Sequence, residues 1–116
     1  MIELDIDGAI AAHLEWKKVF VQAVEQSNAA HLEHVTVCDD TKCVVGQWMG
    51  GDGQRYAADE RFQQACDSHR LFHAVCCQIL HLLLAEDFDS ADKLLKEDFE
   101  RVSQKVIAQL ESLRAL

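Results

Sequence analysis

The sequence predicts an all-α fold, an antiparallel bundle of three long helices and one short helix. One observation is the absence of proline from all 116 residues, since proline is poorly tolerated inside helices. A second is that apolar residues recur at steps of three and four, the period of a helix with one buried face. The third is that His69 and His73 occupy two positions of such an apolar stripe.

The apolar positions divide the chain into four predicted helices. The first is expected over residues 4–27, with His13 on its inward stripe and Trp16 and Phe20 widening the apolar face. That stripe is expected to consist of Ile10, His13, Leu14, Lys17, Val21 and Val24. In residues 28–40 the pattern weakens, and the β-branched residues at 35–37 favour a break or an extended segment.

The second predicted helix is short, covers residues 41–49 and contains Cys43 near its start. Asp39, Asp40 and Thr41 are suitable residues for its N-cap and first turn. A glycine-rich stretch, residues 50–53, ends the helix and predicts a flexible loop.

The third and fourth predicted helices are long and carry regular stripes. Asp59 is a suitable N-cap for the third, which reaches about residue 85, and Asp87, Asp89 and Ser90 are alternative caps for the fourth. The stripe of the third helix is Phe62, Cys66, His69, His73, Cys76, Leu80 and Leu83, and that of the fourth is Ala91, Leu94, Leu95, Val102, Val106, Leu110 and Leu113. We expect residues 1–116 to form one domain.

Composition limits the kinds of partner. The net charge of -9 disfavours nucleic acid and anionic membranes as main partners, and the longest apolar run is too short to span a bilayer. The N-terminus lacks the basic region of a secretory signal, so we expect a cytoplasmic protein. Five cysteines are an odd number, and in such a chain reduced thiols or metal ligation are favoured over a disulfide framework.

The buried histidines indicate a metal site. A spacing of four residues places His69 and His73 on one helical face, where they can share a metal ion. His13, on the first helix, supplies a third imidazole, and Cys43 is the best candidate for a fourth ligand because a helix start lowers a thiol pKa. A rival reading joins His31, His34, Cys38 and Cys43 in a small local zinc knot. Asp67 and Glu15 are candidate acceptors for the N–H groups of ligand histidines, although simple surface positions suit them equally well.

Three segments resemble the chemoreceptor zinc-binding (CZB) family of bacterial sensory domains. Residues 10–17 match the first motif of the family, and Cys43 to Trp48 resembles its Cys-x-Leu-Gly-x-Trp motif, with Val45 in the place of leucine. His69 to His73 matches the His-x-x-Phe-His motif. The resemblance covers about residues 8–85, while the fourth helix matches only as a general bundle helix.

The resemblance implies a zinc ion in the bundle core, held by His13, Cys43, His69 and His73. It also implies bacterial signalling, usually in attachment to chemoreceptors or diguanylate cyclases, and it is compatible with a homodimer. Such domains are thought to respond to zinc availability or to oxidation of the ligand cysteine by hypochlorous acid. Cys43, the sole thiolate, is then the expected redox switch.

Two other functional classes remain at this stage. A metalloenzyme needs an open coordination position and a general base, and no motif supplies either, so we expect no enzymatic activity. A zinc-stabilised helical interaction module without a sensing role is the main alternative to the sensory domain.

Overall fold

The computed structural model describes residues 4–116, and all regular secondary structure in that range is helical. The α-helices are α1 (Ile6–Glu25), α2 (His34–Cys38), α3 (Val44–Gly50), α4 (Glu60–Leu84), α5 (Phe88–Leu94) and α6 (Glu100–Ser112). A π-helical turn, Leu95–Phe99, joins α5 to α6, and 3-10 turns occupy Asp52–Tyr56 and Leu113–Ala115. The all-α prediction is therefore confirmed.

Helix α4 lies at the centre of the fold. It packs against α2, α5 and α6, while α1 packs against α5 and α6. The predicted stripe of α4 is buried except at the half-buried Cys66, and Phe72 and Ile79 add to its core face. None of the helices between residues 4 and 116 has both the length and the apolar character needed to cross a membrane.

Aspartate side chains cap the N-termini of α4 and α5. The Asp59 side chain accepts a hydrogen bond from Arg61 N (2.8 Å) at the start of α4, as predicted. Asp87 accepts one from Ser90 N (3.3 Å) and is the cap of α5. These side chains satisfy backbone N–H groups that have no partner within the helix.

The N-cap of α3 is Cys43, not one of the residues at 39–41. Its sulfur accepts a hydrogen bond from Gly46 N (3.3 Å). Asp39 instead caps a tight turn, accepting from both the backbone and the hydroxyl of Thr41. The helix therefore begins three residues later than predicted, and its first N–H groups point toward the sulfur.

The predicted break is present over residues 28–33, which are not helical, but its assignment to residues 35–37 is wrong, because these residues lie inside α2. Val37 is only 2% exposed, and α2 packs directly on α4. Burial of this valine outweighs the weak helix preference of β-branched residues, as tertiary contacts often do.

The inward face of α1 also differs from the prediction. Leu14 is 44% exposed, whereas Phe20 is 1% exposed and contacts Phe99 at a ring-centroid distance of 5.7 Å. The buried face thus follows Ile6, Ala9, Phe20, Ala23 and Val24. Of the predicted stripe, only Val24 is fully buried, while Phe20, predicted to widen the apolar face, lies in the core.

The glycine-rich stretch that follows α3 is more compact than a flexible loop. Part of it forms the 3-10 turn Asp52–Tyr56, and Gly53 is buried. A Cβ atom at Gly53 would lie 2.7 Å from Trp48 O and 3.0 Å from the Phe62 ring. Close packing at Gly53 therefore holds the end of α3 against the start of α4.

A disulfide joins Cys38 at the end of α2 to Cys77 on α4, with a Cα–Cα distance of 4.8 Å. The expectation of thiols without disulfides is therefore wrong for this pair, while Cys43, Cys66 and Cys76 are free. The two residues are 39 positions apart, so their proximity depends on how α2 packs and could not be deduced from sequence spacing.

Replacing Gly46 by alanine should destabilise the fold, whereas Gly50→Ala should not. A Cβ at Gly46 would lie 1.7 Å from Asp40 O, a backbone atom that cannot move cheaply, while nothing lies within 4 Å of a Cβ at Gly50. We expect Gly46→Ala to cost about 1–3 kcal/mol, typical of overpacking, measured by urea denaturation. Equal stability of the two variants would contradict the close approach of α3 to Asp40.

Candidate metal centre

Two buried imidazoles on α4 form the base of the site. His69 and His73 are each 5% exposed, and their ring centroids lie 4.7 Å apart. Their spacing of four residues stacks them on one face of the helix. Burial of polar rings is costly unless each nitrogen finds a partner, so the surroundings of these rings decide what the site can do.

The Cys43 side chain completes a three-residue cluster with these histidines. Its Sγ lies 3.1 Å from His69 Nε2, and ligand atoms of Cys43, His69 and His73 all lie within 4.8 Å of one another. This approach depends on Gly46, because only a residue without a side chain lets the start of α3 lie so close to the backbone of Asp40. One sulfur and two imidazole nitrogens thus converge from two separate elements.

A backbone carbonyl fixes the orientation of His73. Its Nδ1 lies 3.0 Å from the carbonyl oxygen of Val37 on α2, and since a carbonyl can only accept, Nδ1 carries the proton. The lone pair is therefore on Nε2, the tautomer that suits a metal ligand. Trp16 covers the same ring at a centroid distance of 5.4 Å.

His13 lies beside this cluster but outside it. Its Nε2 is 2.8 Å from Ser103 Oγ on α6, and its ring lies 4.5 Å from that of Phe72. It lines the same cavity, of about 580 Å³, as Cys43, His69 and His73. The structure thus places the four predicted ligands around one cavity and brings three of them to within ligand distance of each other.

Burial controls the protonation of the site. Desolvation, with smaller contributions from Lys17 and His73, lowers the pKa of His13 from 6.5 to about 4. Desolvation, followed by repulsion from His73, lowers the pKa of His69 from 6.5 to about 4. Both imidazoles are therefore neutral near pH 7, with a lone pair available to a cation.

The thiol of Cys43 behaves differently from the prediction. Desolvation raises its pKa, and the backbone N–H groups of Gly46 and Val45 offset only part of this increase. The helix start therefore does not by itself produce a thiolate. A bound cation would be needed to hold this sulfur in its anionic form.

The groups that contact the histidine rings are not the carboxylates that the sequence suggested as acceptors. Asp67 and Glu15 are exposed and pair with Arg70 and Lys18 on their own helices. The acceptor is instead the Val37 carbonyl, while Ser103 contacts His13. Sequence alone could not reveal a backbone acceptor, although a serine on the apolar stripe side of α6 was a signal that could have been followed.

The local knot of His31, His34, Cys38 and Cys43 is also wrong. Among residues 4–116, Cys43 groups with His69 and His73, whereas His34 and Cys38 group with His81 on α4. His34 and Cys38 lie on α2, whereas Cys43 caps α3, and the two groups contact different parts of α4. The rival reading therefore gave the wrong partners for both cysteines, whereas the leading prediction grouped Cys43 with His69 and His73.

The donor set fits a zinc ion. Neutral imidazole and thiolate are ligands that Zn²⁺ prefers, and tetrahedral sites with three or four such ligands are common. His69 Nδ1 is buried without a hydrogen-bond partner, and its Nε2 has only the weakly bonding sulfur. A cation bound by one of these nitrogens would compensate part of the cost of burying the ring.

Comparison with known proteins gives one match. A family model described as the chemoreceptor zinc-binding domain matches residues 13–80, which is more than half of the chain and includes all four predicted ligands. The comparison with curated proteins and the comparison with solved structures each found no match.

The metal-free protein should lose stability as the pH falls from about 6.5 to about 4. In that range the unfolded chain binds protons at His13 and His69, while the folded chain does so only near pH 4, so acid favours unfolding. Melting temperatures of chelator-treated protein between pH 7.5 and pH 4.5 (a range set by these pKa values) will measure the effect.

The matched variants for this measurement are His69→Asn and His31→Asn. The first should flatten the pH dependence, because it removes a buried titrating ring, and the second should retain it, because His31 is exposed. Parallel curves for wild type and His69→Asn would contradict the lowering of the His69 pKa by burial.

Proposed function

The chain belongs to the chemoreceptor zinc-binding domain family, and on that premise we propose that it is a sensory domain that holds one zinc ion through His13, Cys43, His69 and His73. The observation that carries the proposal is the convergence of Cys43, His69 and His73 within 4.8 Å. Their donor atoms come from α3 and α4, so occupancy of the site would link the position of α3 to the bundle.

His13 is the proposed fourth ligand. It lines the same cavity as the other three. It is also close enough for charge repulsion to add to the effect of desolvation: His73 lowers the pKa of His13, and His13 lowers the pKa of His69. Reorientation of its side chain would exchange the contact with Ser103 for a contact with the metal. Four protein ligands would leave no position for a substrate, which favours a structural or regulatory role over catalysis.

Cys43 is the proposed point of regulation. It would be the one anionic donor among three neutral imidazoles, and a coordinated thiol is held deprotonated, the form that oxidants attack. Hypochlorous acid would transfer its oxygen to the thiolate, giving the sulfenic acid and chloride: the sulfur loses an electron pair and the chlorine gains it. A neutral, oxidised sulfur is a weaker zinc donor, so the start of α3 would be released.

The setting we propose is cytoplasmic signalling in bacteria, in chemotaxis or in the control of cyclic di-GMP. A chemoreceptor or a diguanylate cyclase would be the partner that receives the signal, and a homodimer would fit such assemblies. A zinc-stabilised interaction module without sensing is the alternative, and it would respond neither to zinc availability nor to oxidant.

Removing His73 should weaken zinc binding far more than removing His31. We expect His73→Ala to lower the affinity by more than about 100-fold, beyond the loss typical of outer-shell partners, and His31→Ala to leave it unchanged. Competition with a zinc-chelating dye on protein with the Cys38–Cys77 disulfide intact will measure both. Equal affinities would reject the assignment of His73.

X-ray absorption on the same disulfide-containing protein tests the ligand set. Three nitrogen neighbours near ~2.0 Å and one sulfur near ~2.3 Å are expected. Two or more sulfurs would exclude the proposed set. A His13→Ala variant should lose one nitrogen neighbour, or replace it with oxygen from water, and an unchanged spectrum would remove His13 from the site.

Dilute hypochlorite should oxidise Cys43 before the other free thiols and release zinc at the same rate. Burial raises the pKa of Cys66, and it raises that of Cys76 to about 12, so neither is a thiolate near pH 7. Mass mapping of each cysteine with a zinc-release dye gives both rates, and Cys66→Ser is the control variant that should behave as wild type. Oxidation of Cys43 with zinc retained would favour a domain that senses zinc itself, or the interaction module.

A further inference from the structure

A second His/Cys cluster lies on the outer face of the packed pair α2 and α4. Helix α2 carries His34 and Cys38, and α4 carries Cys77 and His81, each pair four residues apart and therefore on one helical face. The family match ends at residue 80, before His81. Nothing in the proposed sensory site uses any of these four residues.

The geometry brings the four side chains together. Cys38 and Cys77 are disulfide-bonded, His34 Nε2 lies 3.3 Å from His81 Nε2, and the two rings stack with centroids 5.4 Å apart. Ligand atoms of His34, Cys38 and His81 all lie within 4.8 Å of one another. A disulfide alone does not require a histidine one turn away from each cysteine, both facing the same point.

From this arrangement we propose that His34, Cys38, Cys77 and His81 form a second zinc site that exists only when the Cys38–Cys77 bond is reduced. Two thiolates and two imidazoles are a common tetrahedral ligand set for zinc. The two histidines are exposed and the two cysteines half-buried, which gives an ion a path into the site.

The disulfide closes this site. A small-molecule disulfide such as oxidised glutathione reacts with the two thiolates: one protein sulfur attacks it and expels the first glutathione thiolate, and the second protein sulfur then expels the other. The protein gains one disulfide, one molecule of oxidised glutathione becomes two thiolates, and zinc leaves as the hydrated ion. The two neutral imidazoles that remain lack an anionic donor and bind zinc weakly.

The proposal is tested by the zinc content of the reduced and oxidised protein. Protein reduced with a phosphine and then freed of it is expected to bind two zinc ions per chain, and protein oxidised with glutathione disulfide only one. The double variant His34→Ala/His81→Ala should bind one ion in both states. It leaves the Val37 carbonyl, which contacts His73, and both cysteines in place.

His31→Ala is the matched control, because His31 is exposed in the segment that precedes α2 and lies outside the cluster. It should bind two ions when reduced and one when oxidised, as wild type does. A second ion that persists in the reduced double variant would overturn the proposal. The proposal would also fail if the reduced wild type bound a single ion whose binding required Cys43 but neither His34 nor His81.

Cobalt substitution identifies the ligands and separates this inference from the proposed function. Sulfur-to-cobalt charge-transfer absorption should grow when the reduced protein takes up its second ion, and Cys77→Ser should reduce that increase while Cys66→Ser does not. Reduced Cys43→Ser should keep the ion held by two thiolates. If only that ion is found in the wild type, the inference stands and the sensory site fails.

Discussion

The burial of His69 and His73 on one face of α4 is the constraint around which the other elements are arranged. A ring nitrogen that leaves water needs a partner; His69 Nδ1 has none, and the partners of the other nitrogens come from different parts of the chain. The carbonyl of Val37 comes from α2 and the sulfur of Cys43 from the start of α3. The short helices α2 and α3 would be marginal in isolation. Their contacts with the two imidazoles help to hold them against α4.

The same constraint explains why the N-cap of α3 is a cysteine and why the helix contains a buried glycine. Cys43 accepts a hydrogen bond from Gly46 N and also faces His69, so one sulfur both caps a helix and completes the cluster. Gly46 allows the close approach to Asp40. Capping, packing and the proposed metal binding therefore depend on the same few atoms, and a change in the sulfur would affect all three.

Helix α2 connects the two His/Cys clusters. Val37 is buried, and its carbonyl orients His73. The neighbouring residue, Cys38, forms the disulfide with Cys77 on α4. The histidines of the inner cluster are buried and those of the outer cluster are exposed, while Cys43, Cys38 and Cys77 are all half-buried. The two clusters thus differ in the exposure of their histidines and in the state of their sulfurs, which is a free thiol in one and a disulfide in the other.

The sequence by itself determined the helical class, the core faces of α4 and of the long helical span from α5 to α6, and the identity of the histidines that converge. Helical period and local capping depend on residues within a few positions of each other, so they can be deduced from the chain. The tertiary structure decided the exposure of Leu14, the helical state of Val37 and the pairing of Cys38 with Cys77. These features depend on contacts between residues far apart in sequence, where burial against α4 and the C-terminal helices outweighs local preference.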